Sequence, residues 1–370
     1  MSDPGKAEKL GRRLVDGLLS AVLLEKKKVP AEIVREALAE PGASALFLFE
    51  RSRMGDVLLQ TPVFANLKTA FPNLRMCAVA RGYNAPALAD HPDLERLLVF
   101  PDAGLGKPGQ LLRFWREFRR PWDAVFVMSA GGASLTSALL ARLSGARLVA
   151  GPGTEIFGKP YSRIFYSWES QPIPVHGPRV EANLRILEAL GVHIASRRLR
   201  AGFSRSGEAK ARSLAQSLAG SGPIAAIHPG GAAHLPGRIA APELFAAAAK
   251  ALNKAGARVV AIQGPGEAES VNQLKALAGL ELPVAVLDLD GLKAFFSMTR
   301  LLVSNDGGTM HLAAAMGASA LALFSATDPK IWASEGVVPV DMRGRERRAA
   351  ESEVTDLALK LLEPPAPALS

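Results

Sequence analysis

A chain of 370 residues is longer than one hydrophobic core usually serves, so two domains are expected, and 48% hydrophobic against 21% charged residues excludes a disordered or fibrous chain. The formal net charge of +9 calls for an anionic partner or surface. One cysteine, Cys77, excludes an intrachain disulfide and a Cys-rich zinc site, and suits a reducing, cytoplasmic setting.

Residues 6–28 read as an amphipathic helix, with Leu10, Leu14, Leu18, Ala21 and Val22 at three- and four-residue spacings. Seven cations between Lys6 and Lys28 face Glu8, Asp16 and Glu25, a local balance of +4. Two readings stay open: a helix packed on the body of the protein, or one lying on an anionic membrane face. Pro30, Pro41 and Gly42 then break the chain. No apolar run approaches the roughly 18 residues of a spanning helix, and the start lacks the order of a secretory signal, so a cytoplasmic protein is expected.

From Ala45 the rhythm changes. Ala45–Phe49 predicts a buried strand, Arg51–Asp56 a polar turn, and Thr61–Ala70 a helix; further strands are predicted at 75–80, 97–99, 124–128 and 147–150. After the Pro- and Gly-rich segment 171–178, a helix over 181–190 stops at Gly191. The pattern restarts beyond Ser204–Gly207, with strands at 224–227, 258–262, 285–287, 301–304 and 318–324 separated by helices such as 242–254 and 292–298. This alternation predicts an α/β chain of two Rossmann-like halves, each a parallel sheet under helices, with the ligand in the cleft between them at the carboxyl ends of the strands. The expected boundaries are an extension over 1–44, domains over 45–203 and 204–345, and a C-terminal helix and tail over 346–370.

The densest motif is Ser304-Asn-Asp-Gly-Gly-Thr-Met-His311. A strand ends near Asp306, Gly307 and Gly308 let backbone approach a ligand, and Thr309 and His311 fall in the first helical turn, where free amides suit a diphosphate. Simple helix capping by Asp306 explains the same residues without a ligand. Gly55-Asp56 places a carboxylate at the cleft end of the first sheet, as a general base or as a cap. His228-Pro-Gly230-Gly231 with Arg238, and Gly264-Pro-Gly-Glu267, end two further strands; Arg238 suits a phosphate and Glu267 a ribose. No Gly-x-Gly-x-x-Gly follows a strand, and P-loop and His-Glu-x-x-His patterns are absent, which argues against dinucleotide dehydrogenases, P-loop NTPases and zinc proteases. Asp288-Leu-Asp290 reads as a loop rather than a metal pair, and nothing in the sequence calls for a cofactor. Aromatics at 6% and no recognisable binding motif argue against nucleic acid despite the charge.

The segment Arg51–Pro72, the His228-Pro-Gly-Gly231 turn and Ser304–Gly317 together resemble glycosyltransferase family 9, the lipopolysaccharide heptosyltransferases, over about residues 46–332. The resemblance implies a GT-B fold, with acceptor on the N-terminal domain, nucleotide sugar on the C-terminal one, and a last helix that crosses back to the N-terminal domain. It implies inverting, metal-independent transfer of heptose from ADP-heptose to a lipopolysaccharide core or similar glycan at the inner face of the cytoplasmic membrane. Asp56 matches the family base, Asp306 and His311 the donor contacts, and the amides of Gly307, Gly308 and Thr309 the diphosphate cradle. Arg53, Gly55 and Thr61 fall in the acceptor motif. Two departures stand out: Gly307 where the family has Ser or Thr, and Ala232–Ala240 where it has a Lys and a basic-Trp-Pro run, leaving Arg238 for the Lys role and Ile239 for the Trp. A retired GT-B binding protein and a GT-B epimerase remain the rival readings.

Overall fold

The computed structural model describes residues 26–49, 53–101, 108–128, 135–153, 162–172, 176–231 and 237–363. It contains two six-stranded sheets in which neighbouring strands run parallel. The first holds β1 (Ser44–Phe49), β2 (Arg75–Arg81), β3 (Arg96–Phe100), β4 (Ala124–Val127), β5 (Leu148–Pro152) and β6 (Trp168–Ser170), in the order β3-β2-β1-β4-β5-β6. The second holds β7 (Ile224–His228), β8 (Arg258–Ile262), β9 (Val284–Ala285), β10 (Leu301–Asn305), β11 (Ser319–Phe324) and β12 (Val337–Asp341), in the order β12-β11-β10-β7-β8-β9. Counted within each domain, both orders are 3-2-1-4-5-6. The strand order therefore reverses direction beside β1 and β4 in one sheet and beside β7 and β10 in the other, and the crevice at such a point is where doubly wound sheets bind ligands.

Every residue of β1, β4, β7 and β10 is buried, because helices cover both faces; that is why these segments are continuous apolar runs in the sequence. The two strands absent from the predicted set are β6 and β12, both at sheet edges. One has three residues including Glu169, and the other carries Pro339, so neither presents a long apolar run.

Four local expectations are corrected. Residues 6–25 of the amphipathic stretch lie outside the described residues, but Lys26–Lys28 are not helical. Lys26 Nζ and Lys28 Nζ instead donate to the carbonyls of Ala146 and Tyr166 at 3.0 and 2.9 Å, so these two ammonium groups serve the fold around β5 and β6. Second, the segment before Ala45 contains the helix Ala31–Ala39, whose Val34, Ala37 and Leu38 are buried in the core shared with β1. Third, Asp56 lies not in an open turn but at the third position of a short helix, Met54–Leu58; its carboxylate accepts from the Arg53 amide at 3.3 Å and closes the first turn. Fourth, the C-terminal helix Arg347–Leu362, expected to cross back to the N-terminal domain, packs among the described residues on the second domain. Its Ala350, Val354, Ala358 and Leu362 recur every four residues and pack with Leu244, Phe245 and Ala248 of the helix Pro242–Lys254. Small residues on both helices allow that close approach.

The domains are tied by polar as well as apolar contacts. Lys293, on the helix Leu289–Phe296 of the second domain, is fully buried and donates to the carbonyls of Pro86 and Ala89 in the first, at 3.1 and 2.8 Å. Burial lowers its pKa, partly offset by Asp290 and Asp90. Lys293→Met leaves two carbonyls without their donor and is expected to destabilise the protein by about 2 kcal/mol, read as a lower urea midpoint with an unchanged m-value.

Candidate functional site

The carboxyl ends of β1, β7 and β10 bring three loops into one crevice. From β1 the chain enters the helix Met54–Leu58, with Asp56 at its third position; from β10 it passes Asp306 and Gly307 into the helix Gly308–Ala315. The starts of these two helices touch across the domain boundary. A Cβ on Gly55 would lie 3.1 Å from His311 Cδ2, and one on Gly308 would lie 2.4 Å from Met54 Cε. At Gly55 a Cβ would press on the His311 ring, so glycine there eases the contact between the Asp56 loop and the helix start of the other domain.

Asp56 sits among cations from both domains. Burial raises its pKa above the usual carboxylate range, and the Arg53 amide and the charges of Arg53, Arg179 and Arg238 hold the rise in check. Arg179 also lies over the ring of Trp332 at 5.4 Å, and so joins the two domains beside this carboxylate. A half-buried carboxylate of raised pKa at a domain crevice has the properties of a general base.

On the other side of the crevice, Asp306 accepts a short hydrogen bond from the Thr327 hydroxyl and stands 4.0 Å from Arg238 Nη1. His311, 3% exposed, points its Nδ1 at no hydrogen-bond partner among the described residues, and burial lowers its pKa to about 4. At neutral pH it is therefore an uncharged imidazole. The amides of Gly308 and its neighbours open the helix, where their partial positive charge favours an anion.

Glu267 braces two of the loops. Its Oε2 accepts from His228 Nε2 at 2.8 Å and from the Gly264 amide at 2.7 Å, while a Cβ on Gly230 would fall 2.3 Å from its carboxyl carbon. Burial works against the charge, but the hydrogen bonds from His228, Gly264 and Gly231 prevail and hold the pKa below the ordinary range. Gly231 itself has φ 155°, a conformation side-chain-bearing residues rarely adopt. Asn305 pins the same loop, donating to the carbonyls of Pro229 (3.0 Å) and Gly230 (2.8 Å) and accepting from the Ala240 amide at 2.8 Å.

Ten of the expected residues thus meet at or beside the crevice: Asp56, Arg53 and Gly55 from the first domain, and Gly230, Gly231, Arg238, Asp306, Gly307, Gly308 and His311 from the second. Thr309 is half-buried in the opening turn, and Gly264 and Glu267 form the loop floor. Thr61 is placed differently. It is fully buried, donates to the Leu58 carbonyl at 2.7 Å and accepts from the Arg200 amide at 3.0 Å, so its hydroxyl is used inside the fold. Asp288 and Asp290 each have structural partners: Asp288 caps a helix through Gly291, and Asp290 accepts from Ser204. Arg179, Thr327 and Asn305 were not anticipated. Only Asn305 lay inside a recognised motif; the other two come from segments distant in sequence that the fold brings back.

The sequence profile of glycosyltransferase family 9 (heptosyltransferase) matches residues 111–360. Lipopolysaccharide heptosyltransferase 3 of Escherichia coli K12 is 25% identical over 288 residues, covering 75% of this chain and 81% of its own. Among solved structures, a family 9 glycosyltransferase from Veillonella parvula superposes with a TM-score of 0.74 at 19% identity, covering 88% of this chain and 99% of its own. The E. coli heptosyltransferase WaaC, solved with ADP, gives 0.68 at 20% identity, covering 86% and 99%. The shared architecture is the GT-B fold.

Proposed function

Because the chain belongs to glycosyltransferase family 9 and is a glycosyltransferase of heptosyltransferase type, we propose that it transfers heptose from ADP-heptose to a lipopolysaccharide core or similar glycan, inverting the anomeric centre without a metal ion. The observation that carries this reading is the contact of the Asp56 loop with the helix start at Gly308, with Arg238 acting on carboxylates of both domains.

Asp56 takes the proton of the acceptor hydroxyl as that oxygen attacks the anomeric carbon from the face opposite the diphosphate. The new C–O bond forms as the sugar–phosphate bond breaks, and ADP leaves with the electron pair. The departing diphosphate gathers negative charge, which the amides at Gly307, Gly308 and Thr309 and the guanidinium of Arg238 stabilise as fixed, preorganised groups. Asp306 and the neutral His311 hold the donor, and Glu267 receives the ribose hydroxyls. Arg53 and Gly55 border the acceptor, and Thr61, whose hydroxyl is used inside the fold, supports them from behind. The enzyme works at the inner face of the cytoplasmic membrane; no helix among the described residues is long and apolar enough to cross it.

Calorimetric titration with ADP, ADP-heptose and a UDP-sugar, in EDTA and then in magnesium, tests the donor assignment. Selective, metal-indifferent binding of ADP-heptose is the expected result, and no binding of any nucleotide would overturn it in favour of a retired scaffold. The anomeric configuration of the product, read by NMR, tests the inverting step. Arg238→Ala is expected to weaken ADP binding by about tenfold to hundredfold, the worth of a charge-assisted phosphate contact.

A further inference from the structure

The helix Pro108–Phe118 carries an exposed face that the catalytic crevice does not use. Phe114 and Phe118 turn inward, 6% and 0% exposed, and stack with ring centroids 5.2 Å apart in the core beneath β1 and β3. Leu112 turns outward and is 73% exposed, while Trp115 is half-buried at the edge of the same core. Around them stand Arg113, Arg116, Arg119 and Arg120, all exposed. The single carboxylate of the stretch, Glu117, is taken by Arg96 and by Arg120, the latter at 2.6 Å, with Arg116 at 3.9 Å. Among the described residues no carboxylate pairs with Arg113 or Arg119. The inward aromatic pair already anchors the helix, so folding does not account for an outward leucine ringed by arginines.

The geometry points to the Leu112–Arg119 face as the surface by which this protein docks on an anionic lipid bilayer. A large aliphatic side chain, an indole at the apolar boundary and cations on either side match, in that order, the acyl edge, the interface and the phosphate layer of such a bilayer. A protein partner would need carboxylates spaced to meet the arginines; a bilayer supplies anions that adjust their own spacing. The placement also serves the reaction. The helix follows β3, so its first turn lies at the same edge of the sheet as the Asp56 loop after β1. A protein lying on this face therefore holds the domain that carries the Asp56 loop at the membrane surface, where a lipid-anchored glycan presents its sugars. This docking role deepens the proposed function but is measured without it.

The test is co-sedimentation of the full-length protein with phosphatidylglycerol-rich vesicles and with pure phosphatidylcholine vesicles, neither containing a glycan acceptor. Binding to the anionic vesicles that falls with salt, and much weaker binding to the neutral ones, is expected. Each of Arg113→Glu and Arg116→Glu should weaken it by about fivefold or more, and Leu112→Ser should weaken what remains at high salt. ADP-heptose titration and thermal melting of the same variants should match the wild type, separating lost docking from lost folding or lost donor binding. Unchanged vesicle binding when Arg113→Glu and Arg116→Glu are combined, or equal binding to neutral vesicles, would overturn the assignment. A protein that docks normally yet binds no nucleotide would leave this face intact and sink the transferase reading instead.

Discussion

Asp56→Asn is expected to lower kcat by about 10²–10⁴-fold, the usual worth of a positioned general base, while the donor dissociation constant stays within about twofold. The two effects separate under the proposed mechanism because Asp56 lies in the first domain, on the side assigned to the acceptor, whereas the loops assigned to the donor belong to the second. The wild-type pH profile should show an ascending limb above the ordinary carboxylate range, since burial raises this pKa and the base must be ionised to act. That limb should vanish in the variant. The stability effect has the opposite sign. A carboxyl whose folded pKa is raised contributes stability below its unfolded pKa and loses it as pH climbs through the folded value, so the ionised Asp56 opposes folding at neutral pH. The Asn variant should therefore melt higher than the wild type at pH 7, with the advantage fading as the pH falls below the native pKa. A residue whose removal destroys turnover and strengthens the fold is one retained for chemistry. Near-wild-type turnover by Asp56→Asn would sink the base assignment.

The central strands were legible because burial on both faces leaves unbroken apolar runs such as Leu46–Phe49 and Leu301–Val303. The switch-point loops were legible because close approach favours glycine, as at Gly55 beside His311 and Gly230 beside the Glu267 carboxylate. What escaped were features set by tertiary contact. Edge strands β6 and β12 are recognised by their neighbours in the sheet and not by their own composition. Lys26 and Lys28 looked like part of a charged helix face, yet their targets are carbonyls more than a hundred residues away. Arg179 and Trp332 carry no motif, and only the meeting of the domains sets one above the other. Thr61 shows the converse. Its motif context suggested a ligand contact, but the returning segment at Arg200 takes its hydroxyl.

Acidification should strip the protein of stability well before its carboxylates titrate, because two histidines are buried uncharged. His311 has its pKa lowered to about 4 by burial alone. His91 is lowered to about 3, first by burial and then by the nearby charges of Arg200 and Lys293, and it accepts from the Asp93 amide through Nδ1 at 3.2 Å. Both folded values lie below the unfolded 6.5. Their contribution is therefore present above pH 6.5 and lost as pH falls, since the unfolded chain takes up protons that the folded one refuses. Each histidine costs about 1.4 kcal/mol per pH unit in that window, so the pair removes on the order of 5 kcal/mol by pH 4. Domain stabilities are typically about 5–15 kcal/mol, which makes this loss enough to approach unfolding. Urea titrations at pH 7, 5.5 and 4.5 measure it directly. His91→Gln keeps an acceptor that cannot protonate and should roughly halve the slope of stability against pH between 6 and 4.5, whatever it does to stability at pH 7. A wild-type stability that stays flat from pH 6.5 to 5 would mean that these imidazoles reach water more freely than their burial states. It would also remove the reason to treat His311 as a neutral partner for the donor rather than a cation.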